Sequence, residues 1–133
     1  MGQLFAVGLV IMHDERYLLL ESETGYWAFF KDLVERGDDR KEKAREIVKD
    51  DLGVVPFFVK GFEEKEEYFF KENGETVHKE VVYYMVEVSS KDITVPVGYL
   101  DHEWLCYADA MRKLSFKRTK EVLEKAHEFL LNR

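Results

Sequence analysis

The sequence predicts an α+β fold in which a mixed β-sheet lies between helices, an α/β/α sandwich. Three observations lead to this prediction: apolar runs of strand length on both sides of a charged central helix, a glycine that ends this helix at position 53, and an amphipathic C-terminal helix. The elements follow in the order β-β-β-α-β-β-β-β-α. The length of 133 residues fits one domain, residues 1–133.

The first half of the chain predicts three strands and the central helix. Residues 5–12 and 17–21 are apolar runs joined by a charged His-Asp-Glu-Arg turn, which is typical of a β-hairpin, and residues 27–30 form a short strand. A loop over residues 31–38 then leads into a helix over residues 39–52. Its N-cap is expected at Asp38 or Asp39, and Gly53 is expected to end it in the left-handed conformation.

The second half predicts a hairpin, a last strand and two helices. The strands are residues 55–61, 66–71, 77–88 and 102–106, and the helices are residues 107–113 and 116–131. Asn73-Gly74 is the strongest short hairpin indicator in the chain. Ser115 is interpreted as the N-cap of the last helix. The apolar face of that helix consists of Val122, Leu123, Ala126, Phe129 and Leu130.

Charge and cysteine content narrow the classes of function. A net charge of -7 argues against general binding to nucleic acid or to an anionic membrane. Small phosphorylated ligands remain compatible with it through a metal or a few lysines. The single Cys106 forms no internal disulfide, which favours a reducing, cytoplasmic location. The apolar start of the chain lacks a basic segment and is interpreted as a buried strand rather than a signal peptide.

Helical phase singles out one carboxylate of the central helix. At about 100° per residue, Ala44, Ile47, Val48 and Leu52 form one apolar stripe. Asp51 falls inside this stripe. A carboxylate that faces a sheet costs several kcal/mol unless a partner satisfies it. We therefore expect Asp51 to face the sheet and to be satisfied by a metal, a lysine or a backbone donor.

The segment from Tyr26 to Val54 resembles the Nudix box. The box consists of Gly, five residues, Glu, seven residues and the pattern Arg-Glu-apolar-x-Glu-Glu-x-Gly-apolar. Aligned without gaps from Gly53, its first glutamate corresponds to Asp38 and its paired glutamates to Asp50 and Asp51. A second register matches the Arg-Glu-apolar element to residues 45–47, but it needs a deletion and an insertion.

The resemblance implies both a fold and a chemistry. Glutamates on the box helix hold divalent metals against a diphosphate, so it implies a Nudix fold and weakly bound Mg²⁺ at Asp38, Asp50 and Asp51. It also implies catalytic roles for Glu35, Asp38 and Asp51. The gapless register departs from the box at three further positions. Asp32 replaces the first glycine, Glu46 the arginine and Ile47 the glutamate beside it.

Outside the box, the chain resembles the diadenosine tetraphosphate hydrolase branch of this family. Residues 27–35 keep the aromatic, lysine and glutamate positions of that branch's Trp-Gly-Phe-Pro-Lys-Gly-His-Val-Glu, and residues 79–84 and 103–130 resemble its later strands and C-terminal helix. The branch's His-Glu-His, whose glutamate serves the metal or the attacking water, is replaced by residues 97–99, Val-Gly-Tyr.

The same resemblance implies that Lys31, Lys79 and Tyr83 bind the ligand. The residues alone leave an alternative role open for Lys31 and for Tyr83. A lysine beside a strand end is as often solvated as it is bound to phosphate, and a tyrosine in an alternating strand is more often a core residue.

Three hypotheses for function follow. The leading one is a Nudix-type protein that binds a nucleotide or other small phosphorylated ligand, with hydrolysis weak or lost. The second is an active magnesium-dependent hydrolase of dinucleoside polyphosphates. The third is a protein-interaction module that uses the aromatic residues 68–70. A homodimer is kept as an option, and neither nucleic acid nor membrane is expected as a partner.

Overall fold

The computed structural model describes residues 2–133, which form eight strands and three helices. The strands are β1 (Gly2–His13), β2 (Arg16–Ser22), β3 (Trp27–Ala28), β4 (Phe30–Val34), β5 (Pro56–Phe58), β6 (Glu64–Glu72), β7 (Glu75–Val88) and β8 (Tyr99–Leu105). The helices are α1 (Arg40–Ile47), which continues as a π-helical turn (Val48–Leu52), α2 (Tyr107–Lys113) and α3 (Lys117–Leu131).

Strand β1 is the centre of a mixed sheet. It runs parallel to β7 along residues 2–12 and antiparallel to β4 along residues 5–9. Its last residues form the predicted hairpin with β2, which in turn pairs with β3 and β8. Strands β5 and β6 pair with β7 on its other edge. The mixed α+β sheet predicted from the sequence is therefore confirmed.

Two apolar cores lie on opposite faces of this sheet. Because successive side chains of a strand point to opposite faces, β1 contributes to both. Ala6 and Val10 pack in a cluster with residues of α2 and α3. Val7, Leu9 and Ile11 pack in a second cluster with residues of α1 and its π turn. The helices thus cover both faces, as an α/β/α sandwich requires.

The ends of the central helix follow the prediction, but its last turn does not. Asp39 is the N-cap and accepts a hydrogen bond from the Glu42 backbone N–H at 3.1 Å. Gly53 ends the helix with a φ of 75°. Residues 48–52 form a π turn, whose wider i→i+5 hydrogen bonds change the direction of the side chains that follow. An α-helical phase therefore does not apply at Asp51.

Two local predictions are wrong. Residues 31–38 are not all loop, because β4 extends to Val34 and supplies the hydrogen-bonding partner that the first half of β1 needs. Ser115 does not cap α3, because its hydroxyl accepts a hydrogen bond from the Trp27 backbone N–H at 2.9 Å. Phe116 occupies the N-cap position of α3 and makes no side-chain hydrogen bond there.

Candidate functional site

A cleft of about 480 Å³ opens where the central helix ends. Asp50 and Asp51 reach it from the π turn, Asp32 reaches it from β4, and residues 94–97 form its far wall. The wall is tied to the helix by a hydrogen bond of 2.9 Å from the Thr94 backbone N–H to the Leu52 carbonyl. Three carboxylates therefore line one concave surface.

Tyr99 fixes the floor of this cleft. Its ring packs edge-on against Phe30 with centroids 5.8 Å apart. Its hydroxyl accepts a hydrogen bond from the Lys31 backbone N–H at 3.3 Å. The strand that carries Asp32 is thus held against the segment that replaces the branch's His-Glu-His. Val97 in that segment is fully exposed at the rim.

Asp51 lies at the mouth of the cleft and not in the apolar stripe, so its predicted orientation toward the sheet is wrong. The side chain is exposed, and Leu52 fills the core instead. Partial loss of solvent raises the pKa of Asp51, and the nearby Asp32 and Asp50 carboxylates raise it further, while Lys43 lowers it. The cleft therefore carries concentrated negative charge.

Replacing Asp51 by Asn is expected to stabilise the protein at pH 7. The pKa of Asp51 is higher in the folded protein than in the unfolded chain, where it is about 3.9. Ionisation of Asp51 therefore costs more in the folded protein, so the protein loses stability as the pH rises from the unfolded pKa through the folded pKa. The neutral amide avoids this loss. Thermal melting of Asp51→Asn should show a higher midpoint than the parent at pH 7 and the same midpoint at about pH 3.5.

The control for this experiment is Asp92→Asn, which neutralises an exposed aspartate outside the cleft. If both variants change the midpoint at pH 7 equally, the effect reflects net charge and not repulsion within the cleft.

The structure separates Asp38 from the other two predicted metal ligands. Asp38 Oδ2 accepts a hydrogen bond from the Glu35 backbone N–H at 2.9 Å, which closes a tight turn in the loop before α1. Asp38 borders a different depression, of about 240 Å³, together with Glu46. Glu35 itself is exposed and contributes to neither depression. The predicted catalytic trio Glu35, Asp38 and Asp51 is thus not assembled.

The carboxylates present do not fit a preformed magnesium site. Magnesium requires near-octahedral oxygen coordination at about 2.1 Å. Among residues 2–133, no group of three or more His, Cys, Asp or Glu side chains is arranged to hold a metal ion. Ile47, at the box glutamate position of the gapless register, is only 5% exposed and packs in the core. The position that would supply a further carboxylate is therefore closed to solvent.

The two box registers differ in where they place their residues. The gapless register aligns Asp32, Asp50 and Asp51 with the box, and all three line the cleft. The second register depends on Glu46, which is exposed in the separate depression. The sequence predicts Asp32 only as a replacement of the first box glycine, and its place in the cleft beside Asp50 and Asp51 is a finding of the structure.

The predicted ligand-binding lysines lie together on the other face of the sheet. Phe29 packs in the core on the α3 side of the sheet, and Phe30 packs in the core on the α1 side. Because successive side chains of a strand point to opposite faces, Lys31 lies on the α3 side, and it also borders the cleft. Burial lowers the pKa of Lys31, the Glu66 carboxylate opposes this, and Lys79 and Arg118 lower it further. Lys79 Nζ lies 6.0 Å from the centroid of Tyr68, which packs against the same core, so both lysines lie on the α3 side of the sheet.

Tyr83 is a core residue and is not available for stacking on a base. Its ring is fully buried and packs edge-on against Phe29 at 6.1 Å between centroids. It lies over Gly8, where an added Cβ would come within 2.4 Å of the Tyr83 ring. Its hydroxyl donates to Glu66 Oε1 at 3.4 Å. The structure thus favours the core interpretation of Tyr83 over its predicted ligand-binding role.

Comparison with known proteins identifies the fold. Over 98% of its length the chain superposes on 99% of a Caenorhabditis elegans Ap4A hydrolase in a binary complex, with a TM-score of 0.80 and 21% identity. It also superposes on the Nudix domain of Shewanella oneidensis NrtR complexed with ADP ribose, with a TM-score of 0.66, 16% identity and coverage of 98% of this chain and 88% of that one. The chain has the Nudix fold.

Sequence comparison indicates the branch that the chain resembles. It is 27% identical over 121 residues to the asymmetrical bis(5'-nucleosyl)-tetraphosphatase of Sus scrofa, covering 86% of this chain and 80% of the pig enzyme. No family model matches the chain. The chain therefore combines the Nudix fold with a resemblance to the Ap4A hydrolases.

Proposed function

We propose that this protein binds a nucleotide or another phosphorylated ligand and hydrolyses it weakly or not at all. The observation that carries this proposal is that the candidate ligand-binding lysines are present, whereas a preformed metal-binding arrangement of carboxylates was not found within residues 2–133. Lys31 and Lys79 lie on the same side of the sheet, while the acidic cleft that Lys31 borders has no group of three or more His, Cys, Asp or Glu side chains, within residues 2–133, arranged to hold a metal. Phosphate binding needs only positive charge, whereas hydrolysis in a Nudix box depends on converging carboxylates.

The ligand class is inferred from the resemblance. The pig relative is named for bis(5'-nucleosyl) tetraphosphates, and the NrtR Nudix domain was crystallised with ADP ribose. Both ligands join nucleosides or sugars through a phosphate chain. A dinucleoside polyphosphate is therefore the first ligand to test.

Binding is tested by calorimetry with a methylene-bridged diadenosine tetraphosphate in EDTA. Charge-assisted hydrogen bonds contribute about 1.5–3 kcal/mol, so Lys31→Gln and Lys79→Gln should each weaken binding about tenfold or more. A matched control, Lys60→Gln with Lys71→Gln, removes the same charge from two exposed lysines elsewhere. Absence of binding to the parent, or equal weakening in the control, would contradict the proposal.

An active hydrolase is the second candidate, because Asp32, Asp50 and Asp51 do share one cleft. The interaction module has less support. Of the aromatic residues 68–70 only Phe69 is exposed, at 63%, and its ring packs against His78 with centroids 4.8 Å apart. The triplet therefore does not form an extended apolar surface.

The location and partners of the protein remain predictions. None of the helices within residues 2–133 has the length and apolar character needed to cross a membrane. The net charge of -7 continues to argue against nucleic acid as a partner. We propose a cytoplasmic location, and a homodimer is a further proposal.

A further inference from the structure

Glu66 is a buried carboxylate outside the acidic cleft. The residue is 6% exposed on β6. Its Oε1 accepts only the long hydrogen bond from Tyr83, and its Oε2 has no hydrogen-bond partner within residues 2–133. The Arg118 Nε lies 3.9 Å from Oε2, at the limit of an ion pair. A buried carboxylate held this loosely is costly unless positive charge surrounds it.

That positive charge comes from three separate elements. Lys31 projects from β4, Lys79 from β7 and Arg118 from α3. Lys79 and Arg118 lie at the same Tyr68 ring, and besides burial the charges of Glu66, Lys79 and Arg118 shift the pKa of Lys31. We call these three cations the basic group. Within residues 2–133, no carboxylate lies within 4.0 Å of the Lys31 or Lys79 ammonium. The basic group therefore has more positive charge than Glu66 can balance.

Arg118 is held mainly by aromatic rings. Its guanidinium lies 4.1 Å from the centroid of Tyr68 and 5.1 Å from that of Phe116. Lys79 Nζ lies 6.0 Å from the same Tyr68 ring. Stacking of this kind positions a guanidinium while leaving its N–H donors free for another partner. The donors of Arg118 are thus available to an incoming anion.

The start of α3 adds to the positive potential. Arg118 is in the first turn of this helix, which contains no acidic residue and has no side-chain cap. The free N–H groups and the positive end of the helix dipole lie at this terminus, where a cation is unfavourable and an anion is favoured. The first turn of α3 therefore favours a bound anion.

We propose that Arg118 is the third phosphate-binding cation beside Lys31 and Lys79, and that Glu66 is an internal counter-ion with which the ligand's phosphates compete. The proposal rests on the proposed function in taking Lys31 and Lys79 as ligand-binding residues. Glu66 holds the basic group together in the free protein and opposes the anion that binds it. Neutralising Glu66 should strengthen anion binding, whereas a purely structural role would predict weaker binding.

The test is a double-mutant cycle with inorganic tripolyphosphate as the probe, measured by calorimetry in EDTA. Unit charges some 7 Å apart at an effective dielectric constant of about 20 change affinity roughly tenfold or more. Glu66→Gln should therefore bind about tenfold more tightly than the parent. Arg118→Gln should bind about tenfold more weakly, and the double variant should bind more tightly than Arg118→Gln alone, with any departure from additivity measuring the coupling of the two residues.

The matched control is the neighbouring pair Glu64 and Lys125, whose charged atoms lie 3.2 Å apart on the same strand and helix. Glu64→Gln and Lys125→Gln should change affinity much less. Weaker or unchanged binding by folded Glu66→Gln would overturn the counter-ion role. Should that variant not fold, Arg118→Gln still tests the site, since Arg118 is 43% exposed, and unchanged binding by it would overturn the third cation.

The same probe separates this proposal from the proposed function. If the dinucleotide analogue does not bind, but tripolyphosphate binding changes as expected in Glu66→Gln and Arg118→Gln, the basic group is an anion site and the nucleotide is the wrong ligand. If the analogue binds through Lys31 and Lys79 and is insensitive to Glu66 and Arg118, the proposed function stands and the present inference is wrong.

Discussion

Diadenosine tetraphosphate is expected to be hydrolysed by this protein far more slowly than by the Sus scrofa tetraphosphatase measured beside it. Loss of one preorganised charge interaction costs about 10²–10³ in rate. In the gapless register Ile47 takes the position of a box glutamate, and the resemblance to the hydrolase branch places Val97-Gly98-Tyr99 at its His-Glu-His. Asp38 is also outside the cleft. Turnover with excess magnesium should therefore fall at least about 10²–10³-fold below the control.

A kcat in the usual enzyme range of about 1–10³ s⁻¹ would contradict this expectation and favour the hydrolase hypothesis. Asp32, Asp50 and Asp51 would then have to assemble a working site on ligand binding. Substituting Asp50 by Asn would abolish such activity and leave a contaminating hydrolase unaffected.

Replacing Ile47 by Glu is expected to destabilise the fold by about 2–5 kcal/mol, although it restores a box residue. Ile47 packs in the core beneath α1 and is 5% exposed, so the change removes apolar contacts and buries a carboxylate. Urea denaturation followed by circular dichroism measures the loss. Glu46→Gln, on the exposed neighbouring position, should change the free energy of unfolding by less than about 0.5 kcal/mol.

Equal stability of Ile47→Glu and the parent would show that position 47 opens to the cleft and can carry a carboxylate. The expected loss would instead show that position 47 is a packed apolar position that does not accept a carboxylate. The box could then not be restored at this position by substitution alone.

Most of the sheet and the three helices that cover it were predictable because their determinants are local. Asn73 and Gly74 have the positive φ angles, 51° and 80°, that the predicted hairpin turn requires. The caps at Asp39 and Gly53 were correct for the same reason. The β4 strand was missed because its pairing depends on a distant segment of β1 and its own sequence does not alternate.

The candidate site was predictable only in part, because several of its features depend on tertiary structure. Asp51 was assigned from α-helical phase, which the π turn makes inapplicable. The burial of Tyr83 depends on the missing Cβ of Gly8 across the sheet. Glu66 lies in a strand of alternating charge, and only the approach of β4, β7 and α3 surrounds it with cations.

The central claim, binding without appreciable hydrolysis, is tested most directly by ³¹P nuclear magnetic resonance of the protein mixed with equimolar diadenosine tetraphosphate and magnesium. The phosphate resonances should shift and broaden on binding and then remain unchanged, with no product signals over many turnover times of the Sus scrofa enzyme. Unshifted resonances would show that the ligand class is wrong. Appearance of product signals at a rate comparable with that enzyme would show that the site is an intact hydrolase.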